Sequence, residues 1–301
     1  MQNIHNILVV IDPELERDFV LDRALFIASQ TQANVHLFIN STNTLNQRAF
    51  SYKAIGSQFF EKQRELVTQQ YKNILRAAEL EFSNLKINTN ILFSEEHNLA
   101  EAIIKQARDC NCDLVLKSTH HKSKSHQRWV SNTDWRLIRK CSSPLLLVKA
   151  QQWYEGGSIV AAVDPMHIKA DQSRLDHALI AGAENLAASL QQTAHVFHCY
   201  YPYVSSLFPS AEEVDEYLTE VRVQHTQKLD QLLASHNIDI DSVKLTQGEL
   251  LPALTNYLSQ IDANILIIGA LSRNVIERAI IGNTAEKILD DCPCDVLILK
   301  T

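Results

Sequence analysis

The chain has 301 residues, 46% of them hydrophobic and 21% charged, which is the composition of a globular protein with room for about two domains. Its net charge of −7 is unevenly spread: residues 1–150 carry 19 Lys and Arg against 15 Asp and Glu, whereas residues 151–301 carry 9 against 20. That acidity argues against nucleic acid as a general partner, and the absence of any apolar run near the ~18–20 residues of a membrane span argues against a membrane protein.

Apolar runs alternate with amphipathic stretches from the start. MQNIHNILVVIDPE lacks a basic leader region and runs into Asp12-Pro13, so it reads as a first strand (5–11) rather than a signal peptide, with a cytoplasmic location as the expectation. Further strands are expected at 34–39, 86–93, 112–117 and 144–149. After the seam at AQQWYEGG (150–157), strands are expected at 158–163, 194–199, 240–246, 263–268 and 295–299. Helices fall between them at 171–190, 211–235, 250–260 and 283–290. The widest irregular stretches are 41–59 and 200–209. Five strands alternating with four helices, without hairpin signals, predict an α/β fold with a parallel sheet covered on both faces.

The order repeats because the sequence repeats. ILVVIDP (7–13) matches IVAAVDP (159–165), LDRAL (21–25) matches LDHAL (175–179), and NTDWRLIRKCSSPLLLVK (132–149) matches NTAEKILDDCPCDVLILK (283–300). The near-constant spacing implies two copies of one domain, 1–150 and 157–301. In an open parallel sheet, ligands bind beyond the carboxyl ends of the strands. Asp164 ends the first strand of copy two, and Gly269 opens the loop after its fourth. Gly282 and Asn283 then precede a helix whose free N–H groups attract anions.

An Asp after strand one, a repeat of about 150 residues and a G-x2-G-x9-G-[ST] loop resemble the universal stress protein family in its tandem, two-copy form. That resemblance implies two tandem doubly wound, five-stranded, Rossmann-like domains of the adenine-nucleotide α-hydrolase-like type. A pseudo-two-fold axis would relate them, with pairing through the last strands and, beyond that pseudo-dimer, a further homodimer as an open possibility. It further implies a role in stress tolerance through binding rather than turnover. Carried over, its ATP site falls on Asp164, Gly269, Ser272, Gly282 and Asn283, with Thr284 next door. Ser272 stands where the family has its middle glycine and Asn283 where it has Ser or Thr. The loop therefore reads either as a weakened site for ATP or a related adenine nucleotide, or as a turn kept for the fold. In the first copy, KSTHHKSKSHQRWVSNT (117–133) has lost every glycine, leaving Asp12 and Asn132-Thr133. Its Lys117, Lys122, Lys124 and Arg128 form a basic loop, read as a solvated surface or as an anion or acidic-protein contact.

Other constellations carry less. The six cysteines include no C-x-x-C pair and read as reduced packing residues. His195 and Cys199 fall on one strand face and His198 on the other, so the three cannot share one metal ion. Asp12 and Asp164 both precede proline, so each is either a ligand contact or a turn opener. No general-base partner or Mg²⁺ ligand set accompanies them, which leaves slow ATP hydrolysis as the alternative to simple binding. The aromatic YYPYVSSLFP (200–209) lines a pocket for a base or a lipid-like ligand, or else a buried interface.

Overall fold

The computed structural model describes residues 4–15, 19–41, 57–119, 130–166, 170–204, 210–270 and 283–300. They divide into two compact units, one over Asn3–Gln152 and one over Trp153–Thr301. In the first, the described strands are β1 (Asn6–Val10), β2 (Asn34–Asn40), β3 (Thr89–Ser94), β4 (Leu114–Ser118) and β5 (Leu145–Val148). The helices between them are α1 (Phe19–Thr31), α2 (Ser57–Asn84), α3 (Leu99–Asp109) and α4 (Asn132–Lys140). Every pairing within this sheet is parallel, in the order β3-β2-β1-β4-β5.

The second unit repeats the plan. Its strands are β6 (Ser158–Ala162), β7 (Thr193–Tyr200), β8 (Val243–Gln247), β9 (Ala263–Gly269) and β10 (Asp295–Leu299), and its helices are α5 (Ala170–Leu190), α6 (Ala211–Leu233), α7 (Leu250–Gln260) and α8 (Asn283–Asp291). The order is β8-β7-β6-β9-β10, again all parallel. In each sheet the first strand has a neighbour on both sides, so winding reverses there. A crevice therefore opens beyond the carboxyl ends of β1 and β4, and of β6 and β9. This is the expected doubly wound α/β architecture.

The continuous apolar runs are the central strands, buried on both faces: Ile7, Leu8 and Val9 of β1 are 0% exposed, as are Ile265, Leu266 and Ile267 of β9. Alternation along β7 sends its side chains to two different helices. His198 meets His225 of α6, whereas His195 and Phe197 meet Tyr257 of α7. The amphipathic helices close these faces. In α3, Ile103 and Ile104 are buried with Ala100 and Ala107, each isoleucine contributing roughly 1.5–3 kcal/mol. Asn98 starts that helix by accepting the Glu101 N–H.

Most boundaries lie within two residues of the sequence expectation, and three of those that differ carry structural information. Strand β8 begins at Val243 rather than at 240, because Ile240–Ser242 form a 3-10 turn. The Asp239 carboxylate accepts the Asp241 N–H at 3.0 Å, a local bond that overrides the β-propensity of Ile240 and leaves that side chain 73% exposed. Strand β3 begins at Thr89 rather than at 86. Lys86, at φ +57°, closes α2 while the Ile87 N–H bonds the Phe82 carbonyl. Helix α2 reaches back to Ser57, inside the stretch read as irregular; residues 42–56 lie outside those described.

The seam residues are fastened to the second unit. Trp153 Nε1–H donates to Asp295 Oδ2 at 2.8 Å, and the backbone of Tyr154 makes both an N–H and a carbonyl bond with the Asn264 amide. Gly156 turns the chain at φ +66°. A Cβ on Gly157 would lie 2.4 Å from Asn264 Nδ2, so only glycine lets that amide reach Tyr154.

Candidate functional site at the carboxyl ends of the strands

The crevice of the second unit begins with Asp164, exposed just after β6. Its Oδ1 accepts the Met166 N–H at 3.3 Å, and its own N–H donates to Oδ1 of the buried Asp176 on α5 at 3.2 Å. Asp12 makes the matching turn in the first unit, where its Oδ1 accepts the Glu14 N–H at 3.0 Å. Both aspartates therefore shape an Asp-Pro turn that holds the carboxylate at the crevice mouth. Asp176 was not singled out from sequence, although LDHAL repeats the LDRAL of α1.

Gly269 ends β9 with its backbone outside the left-handed region. A Cβ there would fall 2.4 Å from Leu175 Cδ2 and 2.8 Å from Leu175 Cγ, so the glycine lets α5 press against the strand end. The Ala270 N–H continues the ladder to the Leu299 carbonyl at 2.8 Å. Ser272 and Gly282 lie outside the described residues. Asn283 and Thr284 begin α8.

The matching place in the first unit is already filled. Asp134, fully buried at the third position of α4, accepts the Ser131 N–H at 2.7 Å and the Ser131 hydroxyl at 2.8 Å. The Ser131 oxygen in turn accepts the Asp134 N–H, completing a capping box. Lys117 Nζ lies 2.8 Å from Asp134 Oδ1 and also donates to the Ser118 carbonyl at 2.9 Å. An internal carboxylate thus occupies the anion-attracting end of α4, with its charge balanced by a buried lysine. Lys117, counted with the basic loop on sequence, spends its charge internally, and Lys140 pairs with Glu101 at 2.7 Å. Lys122, Lys124 and Arg128 lie outside the described residues. The repeat puts Ile268 and Ala285 where the first unit has Lys117 and Asp134, so neither member of that pair has a charged counterpart at the matching position of the second unit.

Beside Asp164 lies an imidazole pair that sequence reading missed. His198, 2% exposed, has Nδ1 3.1 Å from the Val163 carbonyl and Nε2 2.8 Å from His225 Nδ1. A carbonyl only accepts, so His198 carries its proton on Nδ1 and the neutral His225 donates from its own Nδ1. Burial lowers the His225 pKa, and the nearby Asp164 carboxylate partly offsets that. The His225 ring stacks on Tyr200 at 4.5 Å. The overlooked signal was spacing: Val214, Leu218, Val221, His225 and Leu229 form one stripe of α6, with a histidine in an apolar register. A second pair joins α5 to the end of α6, with His177 Nδ1 2.9 Å from His236 Nε2 and His236 Nδ1 2.9 Å from Glu184 Oε2. Among the described residues no three histidine, cysteine or carboxylate side chains converge as a metal site requires, and no helix is long and apolar enough to cross a membrane.

Comparison with known proteins places this geometry. The pattern of the Universal stress protein family matches twice, over residues 3–149 and 158–300. Universal stress protein E of Escherichia coli K12 is 27% identical over 309 residues, covering 100% of this chain and 95% of its own. The protein of that name from Photorhabdus laumondii is 27% identical over 308 residues, covering 100% and 96%. Among solved structures, a Pseudomonas aeruginosa PAO1 protein of unknown function superposes with a TM-score of 0.70 at 23% identity, covering 99% of this chain and 93% of that one. A universal stress protein from Archaeoglobus fulgidus superposes at 0.65 with 12% identity, covering 100% and 99%.

Proposed function

The chain belongs to the universal stress protein family, and we propose that it is a cytoplasmic stress-response binding protein whose second unit takes an adenine nucleotide of the ATP class, weakly. The observation that carries this reading is the contrast between the two helix starts. Asp134 and Lys117 close the end of α4 in the first unit, whereas the second unit has Ile268 and Ala285 at those places and Gly282 just ahead of α8. An anionic ligand would meet an internal carboxylate in one half, and in the other a helix start with no charged residue at the positions matching Lys117 and Asp134.

Asp164 would bond the ribose or base, held by its turn at the mouth. The phosphates would lie toward Gly269, Gly282, Asn283 and Thr284. The exposed Met166 and Tyr201, following neighbouring strands, supply apolar surface for a planar base. Ser272 weakens the site by adding a β-carbon where the family's loop has none. Binding of ligand to the folded state raises stability by about 2.7 kcal/mol at a hundredfold excess over Kd. Thermal unfolding with millimolar ATP, ADP and AMP therefore gives a measurable rise for the wild type, a smaller one for Asp164→Ala and a larger one for Ser272→Gly. No rise with any of the three nucleotides would sink the reading.

A further inference from the structure

Where β6 ends, the hydrogen-bond donors of Asp164, Met166, His198 and His225 are all spent inside the protein. The Asp164 N–H goes to Asp176 at 3.2 Å, Pro165 has no N–H, and the Met166 N–H goes back to Asp164 Oδ1 at 3.3 Å. His198 gives its Nδ1 proton to the Val163 carbonyl at 3.1 Å and takes the Nδ1 proton of His225 on its Nε2 at 2.8 Å. That chain of bonds leaves Nε2 of His225 as a bare acceptor. No described residue bonds this nitrogen, and the half-buried ring keeps it open to solvent. A carboxylate only accepts, so Asp164 adds no donor beside it.

The acceptor is held in place. The His225 ring lies against Tyr200, with centroids 4.5 Å apart and planes 18° from parallel, and turning the ring over would break its bond to His198. Burial lowers the His225 pKa from an ordinary value already below 7, so the ring is neutral at pH 7.5 and its Nε2 lone pair is available. The first unit has isoleucine at the place of His198. Its Ile11 N–H bonds the Phe38 carbonyl as the Val163 N–H bonds the Phe197 carbonyl, which aligns Ile39 with His198. Ile39 is 0% exposed, so the imidazole pair accompanies only the unit that keeps Gly269 and Gly282.

We infer that His225 is a specificity-determining residue of the second unit's crevice, its Nε2 accepting a hydrogen bond from a donor group of the bound nucleoside. The inference rests on the nucleotide reading above and adds the rule by which the site selects. An adenine nucleotide carries such donors in two places, the exocyclic amine of the base and the ribose hydroxyls. A base with an oxo group in place of the amine would set lone pair against lone pair and leave the acceptor unpaired. Phosphate oxygens, which also accept, are disfavoured beside it, so the nucleoside rather than the phosphates belongs on the β7 side of Asp164.

The test is isothermal calorimetry on the full chain at pH 7.5 with ATP, inosine triphosphate, 2′-deoxy-ATP and 3′-deoxy-ATP, for the wild type and for His225→Asn. The shorter amide keeps a donor where Nδ1 stands, so His198 retains its partner, and it places nothing at Nε2. One hydrogen bond of this kind changes Kd by roughly three- to tenfold. The wild type should prefer ATP by that factor over inosine triphosphate if the base amine is the donor, or over a deoxy form if a ribose hydroxyl is. His225→Asn should bind ATP more weakly by the same factor and lose the preference, with its affinity for that analogue unchanged. Equal affinity of the wild type for all four nucleotides overturns the inference without any variant, and so does a preference that His225→Asn retains. Those results leave the nucleotide reading standing, whereas a wild type that binds none of the four overturns both.

Discussion

The buried pair Lys117–Asp134 gives the sharpest prediction, because the second unit supplies its own replacement. The lysine side chain is 10% exposed and the carboxylate 0%, so both charges are largely out of water and their attraction is weakly screened. Lys117→Ile, which copies Ile268, leaves Asp134 with two Ser131 donors but no counter-charge. The expected loss is about 3 kcal/mol, the low end for breaking a buried pair. Asp134→Ala, which copies Ala285, strands the ammonium and removes the capping box, for about 3–4 kcal/mol. The double variant restores an apolar match and forfeits mainly the cap, so it loses only about 1–2 kcal/mol. Coupling between the sites is then several kcal/mol and opposite in sign to the two losses.

Urea unfolding of the full chain, followed by circular dichroism and fitted with one transition per unit, measures the cycle. Each single variant should shift only the transition of the first unit, by roughly 6–12 °C in a parallel thermal scan. If the double variant loses as much as the two singles together, Lys117 and Asp134 are not coupled. The account of a filled helix end would then be wrong.

The remaining predictions concern the second unit and acid stability. Gly269→Ala forces a methyl against Leu175 and should destabilise by about 1–3 kcal/mol, with partial rescue by Leu175→Ala; no loss in urea unfolding would mean that the glycine serves the ligand alone. Trp153→Phe removes the indole donor to the fully buried Asp295 and should cost about 1.5–3 kcal/mol, read as a lower midpoint for the second unit. Burial lowers the pKa of His36, His195 and His225, so these rings are neutral when folded and the unfolded chain binds their protons first. Stability is full above about pH 6.5 and falls as pH drops below it. Melting temperatures across pH 7.5 to 5.0 should show this decline, and His225→Gln should flatten part of it.

Most of the frame was legible because it rests on long-range patterns. Apolar runs of five or six residues identified the buried strands, and the internal match of ILVVIDP with IVAAVDP implied that one topology occurs twice. What escaped was decided by single local bonds. Nothing in the apolar character of Ile240 reveals that Asp239 will bond Asp241 and turn the chain. Lys117 reads as one member of a basic run, since its burial depends on Asp134 arriving from α4, seventeen residues later. The histidines escaped for a related reason. His198 meets its partner only across a strand and a helix that are distant in sequence, and His225 sits among the leucines and valines of the apolar stripe of α6.

The two halves diverge in how they satisfy the same electrostatic demand. A helix that starts at the carboxyl end of a parallel sheet presents unpaired N–H groups toward the crevice, and these favour a negative group. The first unit meets that demand from within, through the carboxylate of Asp134 and the counter-charge of Lys117, so it needs no loop glycine to admit a ligand backbone-close. The loss of every glycine between 117 and 133 and the gain of this pair are then two sides of one change. In the second unit, neither Ile268 nor Ala285 can supply a charge, so the same demand is left to water or to an external anion. This residual demand, rather than the retained spacing of the glycines alone, is the physical reason to look for the ligand at α8.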